Sequence, residues 1–259
     1  MDIHKPKPWH GVREFLKEYV IIVVGVLTAL AGEQAVEALH RGEQARRAEG
    51  AMRLELRDDD GPQAYGRVLI ARCLDDRLAQ IQDGAAGATA DELRKRVSDY
   101  VPPVRTWDSE VWKVVVSSDV GNFMGAARLV DWSAAYRAVP LLNDNNRREA
   151  ELAAELRSAL PASGELSAAD RENLRRLAGM LRFSNASIER GSELFLARTR
   201  ALGAPVTAAT RQGLLSQARS LYGDCAAAPD AAAPSAAQRS SANLRGFAGW
   251  PAPGAPENR

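Results

Sequence analysis

The chain has 259 residues, of which 46% are hydrophobic and 26% charged, with 34 Lys and Arg against 33 Asp and Glu. A net charge of +1 argues against a nucleic-acid-binding surface, which needs a clear basic excess. Aromatic residues make up only 6%, and Ala, Leu, Arg and Glu dominate, so the composition favours helix over strand.

The first element decides where the protein resides. "EYVIIVVGVLTALAGEQ", residues 18–34, contains an uncharged run over residues 19–32. That run makes about 21 Å of helix, short of the roughly 30 Å hydrocarbon core of a bilayer. Extended to residues 15–35 it reaches about 31 Å. The charged residues this admits, Lys17, Glu18 and Glu33, lie near its ends, where long side chains reach the interface. Three readings compete: a membrane anchor, a signal peptide and a buried core helix. Lys5, Lys7, Arg13 and Lys17 precede an apolar centre, and Ala29-Leu30-Ala31 is an A-x-A pattern, so cleavage after Ala31 gives a secreted alternative. The anchor is the main expectation, because Glu14 and Glu18 interrupt the leader and "GEQAVEALHRGEQARRAEGAMRLEL" continues in helix-forming residues. Four basic residues precede the run, and Arg41, Arg46 and Arg47 follow it. With Lys17 on one flank and Glu33 and Glu37 on the other, the expected topology is N-terminus cytoplasmic and body periplasmic. Gly25 with Ala29, and Thr28 with Gly32, are four apart and form a face that a second copy of the helix can approach closely.

Helical periodicity continues through the body. The first helix is expected to reach about residue 60, where "DDDGP" predicts a break or kink. A second helix covers about 62–82, and Thr89 with Glu92 forms a capping box for a short third one. After Pro102-Pro103, "WDSEVWKVVVSS" reads as a helix closed by Gly121, although Val114, Val115 and Val116 also suit a strand. A long helix over about 125–160 is kinked or restarted at Pro140. Ser167 and Asp170 cap the next, whose buried stripe is Leu174, Leu177, Leu181, Ile188 and Phe195. Thr207 starts the last and Gly223 stops it. The Ala/Pro-rich segment 226–259, with Phe247 and Trp250, has no apolar periodicity and is expected to be disordered. The predicted fold is all-α: a leader over 1–14, a transmembrane helix over 15–35 continuing into an antiparallel helical bundle over 36–225, and a disordered tail.

"REFLKEYVIIVVGVLTALAGEQAVEAL" resembles the opening of a group of uncharacterised bacterial single-pass inner-membrane proteins. The shared features are a basic and aromatic R-E-F-L leader, a Val/Ile/Leu run ending in A-L, and a polar E-Q pair. The group also tends to carry a Cys followed by a basic-Leu pair, here "CLDDRL" at 73–78, and a Trp-bearing helix such as "TWDSEVWKVVVSSDV". The resemblance is closest over residues 13–39, diffuse over about 40–225 and absent from the tail. It implies an anchor and a helical body, and no activity.

Histidine gives the sharpest chemical exclusion. His4, His10 and His40 flank the apolar run and residues 41–259 contain none, which excludes a Ser-His-Asp triad, a Cys-His pair and H-E-x-x-H zinc chemistry from the body. There is no phosphate loop and no G-x-G-x-x-G. "LRDDDGPQAYGR" fails as a calcium loop, because Leu56 and Arg67 occupy positions that need carboxylates; its aspartates read as a solvated turn. Glu151 and Glu155 read as a wet helix face, and the N-A-S at Asn185 as a chance glycosylation match inside a helix. No catalytic residue, cofactor or metal is expected, and the protein is read as non-enzymatic. An even pair of cysteines in an exported body favours a Cys73–Cys225 disulfide over two free thiols. Trp107, Trp112, Trp132 and Tyr136 are either core or the walls of a ligand cleft. The expected partners are the lipid bilayer, a second copy through the anchor and an unidentified envelope protein. The leading reading is an envelope interaction or structural module, and the alternative is a ligand-sensing module using the aromatic cleft.

Overall fold

The computed structural model describes residues 11–161 and 163–228. Among these the chain is helical without strands, as the composition predicts. In order come α1 (Gly11–Glu55), a π turn (Leu56–Asp60), α2 (Gly61–Gly84), α3 (Ala90–Asp99), α4 (Glu110–Ser117), α5 (Val120–Phe123), α6 (Ala126–Tyr136), α7 (Ala138–Ser158), α8 (Ala168–Ala201) and α9 (Ala208–Tyr222).

At "DDDGP", where a break or kink is expected, the α-helix is interrupted by the π turn but the chain does not leave the helix. α1, the π turn and α2 form one helix of 74 residues, Gly11–Gly84, about 110 Å long. The Gly61 N–H donates to Leu56 O, five residues back. Pro62 has no N–H, and its ring would crowd the carbonyl four residues earlier; the wider turn accommodates both defects. A Cβ at position 61 would lie 2.8 Å from Val206 Cγ2 and closer still to Leu56 O, so the close approach requires glycine.

The other helix boundaries follow local chemistry. Thr89–Glu92 and Ser167–Asp170 form complete capping boxes, and the Thr207 side chain accepts from Thr210 N. The chain over 110–117 is helix, not strand, and Gly121 lies inside α5 instead of closing α4. The long helix expected over 125–160 is two, α6 and α7, divided at Arg137. This puts Pro140 in the first turn of α7, where its missing N–H leaves no helical bond unmade.

α2, α7 and α8 make the body of the bundle. Along α8, Arg171 bonds Ala85 and Ala88 carbonyls, Arg182 pairs with Asp75, and Asn185 bonds Ala71 O, so α8 runs antiparallel to α2. The core has two clusters along this axis. One holds Leu74, Leu78, Ile81, Leu93, Leu156 and Leu181. The other, nearer α1, holds Met52, Leu56, Trp132, Tyr136, Ile188 and Phe195. Each such fully buried side chain contributes about 1.5–3 kcal/mol.

The beginning of α1 is different. It is long and apolar enough to cross a membrane, and none of that apolar window is covered by the rest of the protein. Ile22 is 64% and Leu27 59% exposed, and Ala45 is the first buried residue among those described. A core helix would bury this face, which is uncovered among the described residues. Past the apolar run, Glu37 pairs with Arg41 and Glu43 with Arg47, each across one turn. The Arg41 guanidinium lies 5.3 Å from the centre of the Phe123 ring, so α5 reaches down α1 to this level. At the other terminus, Ala226 is fully buried and Ala227 N donates to Leu69 O at 3.3 Å, so the packed body extends past residue 225. Residues 229–259, most of the segment expected to be a disordered tail, and residues 1–10 lie outside the described residues.

Candidate functional site

The bundle has a polar centre between its two apolar clusters. Arg67 from α2 is completely buried. Its Nη2 donates to Glu149 Oε1 of α7 at 2.5 Å and to Asn185 Oδ1 of α8 at 2.9 Å. Asn185 Nδ2 donates to Ala71 O at 2.9 Å, and the Tyr100 hydroxyl reaches Glu149 Oε1 at 3.5 Å. Burial pushes the Glu149 carboxyl above its ordinary pKa, opposed by the Arg67 charge and the hydrogen bonds from Arg67 and Tyr100. Arg67 Nε and Nη1 are buried without a partner among the described residues. Asn185, the apparent glycosylation acceptor, is therefore a locked core residue.

Beside this centre, α7 holds an irregular segment in place. Asn143 brackets Trp107 through both main-chain groups, accepting from its N at 3.0 Å and donating to its O at 2.7 Å. Asn146 Nδ2 donates to Arg105 O at 2.9 Å. The Arg105 guanidinium lies against α2 at Gly66, where a Cβ would sit 2.9 Å from both Nη atoms. Its Nη1 donates to Gln63 Oε1 at 3.1 Å, while its Nε is buried and unpartnered among the described residues. Burial lowers the Arg105 pKa first, and the like charge of Arg67 lowers it further. Arg105 lines a groove of about 270 Å³ between α2, α9 and residues 103–105, with Ile70, Leu214, Gln217 and Tyr222.

Cys73 and Cys225 form a disulfide across 152 residues, with their Cα atoms 5.3 Å apart. It ties the chain just after α9 to α2, and a second depression of about 780 Å³ opens beside it, lined by Asp76, Arg77, Arg96 and Tyr222. The Tyr222 ring, with Arg77 5.2 Å above it, lines both depressions.

A third polar cluster surrounds the π turn. Glu55 Oε1 accepts from Val111 N at 2.9 Å, which caps the N-terminus of α4, and Glu55 Oε2 accepts from the Tyr136 hydroxyl at 2.6 Å. Asp60 Oδ1 accepts from Asp108 N at 2.7 Å, and its Oδ2 is buried without a partner among the described residues. Only part of the aspartate triplet is a solvated turn: Asp58 and Asp59 are exposed, whereas Asp60 is buried.

The four aromatic residues singled out as cleft walls are packed instead. Trp107, Trp132 and Tyr136 are buried in the cluster with Met52 and Phe195. Trp112 is half-buried and stacks on Tyr136 with ring centres 5.2 Å apart. Their large apolar area fills the α1 end of the core. Gly25, Thr28, Ala29 and Gly32 lie on the uncovered part of α1; apart from the local helix backbone and adjoining residues, nothing described lies within 4 Å of a Cβ built at Gly25 or Gly32, and the Thr28 hydroxyl donates to Val24 O.

Sequence reasoning missed Arg67, Arg105, Glu149 and Asn185, together with Glu55 and Asp60. One signal was available. "NDNN" at 143–146 places three asparagines inside α7, and asparagine is a poor helix former that competes for backbone hydrogen bonds. Two of the three hold the segment that carries Arg105. No family model matches this chain, nor does any curated protein or solved structure. The site therefore rests on its own geometry. Glu55, Asp60 and Glu149 are tied to main-chain amides, a phenol or a guanidinium, and no group of three His, Cys, Asp or Glu side chains is gathered for a metal among the described residues. The arrangement is suited to holding helices and to binding.

Proposed function

We propose that the protein is a membrane-tethered helical interaction module of the cell envelope, anchored through residues 15–35 with its N-terminus cytoplasmic and its bundle periplasmic. The carrying observation is the uninterrupted helix Gly11–Gly84, whose apolar beginning is uncovered and whose last part is a central core helix. Such continuity couples the bundle rigidly to the bilayer. The disulfide supports an oxidising compartment, because structural disulfides persist outside the cytosol. The non-enzymatic reading is supported by the roles of Glu55, Asp60 and Glu149, each bonded to a group that holds two elements together. Alkaline phosphatase fused after residue 60 is expected to be active; an inactive fusion removes the periplasmic placement. Resistance of the protein to alkaline extraction of membranes is expected of a retained anchor. A mature N-terminus at Gly32 is the result that replaces it with the secreted form. Crosslinking in intact cells is expected to recover an envelope protein, and self-crosslinks alone count against a heterologous partner.

The anchor also provides a surface for a second copy. Gly25, Thr28, Ala29 and Gly32 sit on one face with nothing packed on it, and small residues let two helices approach closely. A genetic reporter of transmembrane association is expected to lose signal on Gly25→Leu and keep it on Val26→Leu. Equal signals from the two variants refute this dimer face.

A further inference from the structure

The groove at Arg105 has an imbalance that its own residues do not correct. Arg105 and Arg67 bring two buried or largely buried guanidinium groups together, and Glu149 is the carboxylate bonded to Arg67. Arg105 itself makes no ion pair among the described residues; its hydrogen-bond partner is the neutral Gln63 amide. Arg105 Nε is buried with no acceptor among the described residues, as are Nε and Nη1 of the neighbouring Arg67, which lies outside the groove lining. Donors withheld from water and left unpaired are costly, and an unbalanced cation in a low-dielectric surround is more so. Burial raises the Tyr222 phenol pKa; the charges of Arg105, Arg67 and Arg77 oppose that rise and Glu149 adds to it, so three cations and one carboxylate act on this groove wall. An anion entering here meets an unneutralised cation on one side and apolar side chains, Ile70, Leu214 and Leu221, on the other.

We propose that this groove binds a small organic carboxylate, with its anionic end on Arg105 and a short aliphatic stem between Ile70, Leu214 and Leu221. The size of the groove, about 270 Å³, lies just under the usual range for drug-sized ligands, which limits the stem to a few carbons. A guanidinium matches a carboxylate in a paired geometry, and the apolar walls disfavour a multiply charged inorganic anion that would keep its hydration. Gly66 is part of the design, because any side chain there would displace the Arg105 head from the groove. α9 supplies Leu214, Gln217 and Leu221, so the Cys73–Cys225 disulfide at its end also fixes the groove wall. The inference is independent of membrane topology and stands or falls separately from the tethered-module reading.

The test uses the full chain in detergent, oxidised, with sodium pentanoate, pentanamide and inorganic phosphate as probes, read by calorimetric titration and ligand-observed NMR. Pentanoate is expected to bind saturably at one site, with pentanamide and phosphate each at least tenfold weaker. Arg105→Gln is expected to weaken pentanoate at least tenfold, and Arg105→Lys to retain part of the affinity. Leu214→Trp, which fills the groove from α9 and leaves both arginines in place, is expected to abolish binding. Equal binding of pentanoate and pentanamide, equal or tighter binding of phosphate, no saturable binding, or unchanged affinity in a folded Arg105→Gln protein overturns the assignment.

Discussion

Asp60 and Arg67 show how single buried charges set the properties of this fold. Burial raises the Asp60 pKa from 3.8 to about 7, assisted by the charges of Glu55, Asp108 and Asp59 and opposed by the hydrogen bond from Asp108 N. The folded state thus holds a proton that the unfolded chain releases near pH 4. The stability linked to that proton is fully present below this pH, declines as pH rises, and is lost above about 7. Asp60→Asn keeps an acceptor for Asp108 N and cannot ionise. Thermal melts are expected to show the variant more stable than the parent by on the order of 2–4 kcal/mol at pH 8, with the two converging at pH 4. A difference independent of pH refutes the role assigned to Asp60. Arg67 makes the opposite case, a charge that is paired. Removing either partner leaves the other buried alone, so Arg67→Met and Glu149→Leu are each expected to cost about 3–5 kcal/mol. The double variant replaces the pair by apolar side chains and is expected to lose less than either single one. Denaturant titrations of the three proteins measure this, and additive losses would show that the two charges do not depend on each other. Neither residue was legible beforehand. Sequence spacing exposes partners three or four apart on one helix, whereas Arg67 meets residues 82 and 118 positions away. An Arg, Glu or Asn in a helix looks the same in sequence whether it faces water or another helix.

At the scale of elements, legibility divides by range. The caps at Thr89, Ser167 and Thr207 are fixed by side chains within three residues and could be read directly. The π turn could not, because "DDDGP" contains the reason for a break, and the reason the helix continues lies in Val206 and residues 108–111 packing around it. The divided α6–α7 helix is intermediate: Pro140 announced a restart, while its position at Arg137 depends on where Tyr136 must reach Glu55. α9 is the element most dependent on a covalent link. Among its own residues Ala218 is buried, its extensive packing is against α2, and its C-terminal end is held by Cys225. Reduction should therefore release α9 before it unfolds the bundle. Hydrogen exchange of Ala208–Tyr222 amides is expected to accelerate at least tenfold in Cys225→Ser, with α8 protection nearly unchanged, for a total stability loss of about 2–4 kcal/mol. Uniform acceleration across α2, α8 and α9 would mean that the bridge supports the whole core.

The molecule as a whole is a bundle built on the far half of its own first helix. The sequence indicated an apolar segment followed by amphipathic helices, but a buried stripe specifies that a partner exists without specifying which one. For that reason the two core clusters, at opposite ends of α2 and α8, emerged from the three-dimensional arrangement. The same arrangement predicts a clean division of labour. Exposed large apolar residues crowd the stretch from Val12 to Leu39, and the packed core begins at Ala45. Among the described residues, none before Ala45 belongs to either cluster, while Arg41 still touches the bundle through the Phe123 ring. A fragment of residues 40–228 should then contain the complete folding unit, the apolar beginning of α1 adding no area to either cluster. Expressed under oxidising conditions, the fragment is expected to be soluble without detergent, strongly helical by circular dichroism, and to melt within about 3 °C of the full chain in detergent, the shift that a loss of about 1 kcal/mol gives at this size. The full chain is expected to partition into detergent micelles. A fragment that aggregates, or that melts more than about 10 °C lower, would show that the apolar stretch packs on the bundle as a structural helix, and the tether would have to be given up.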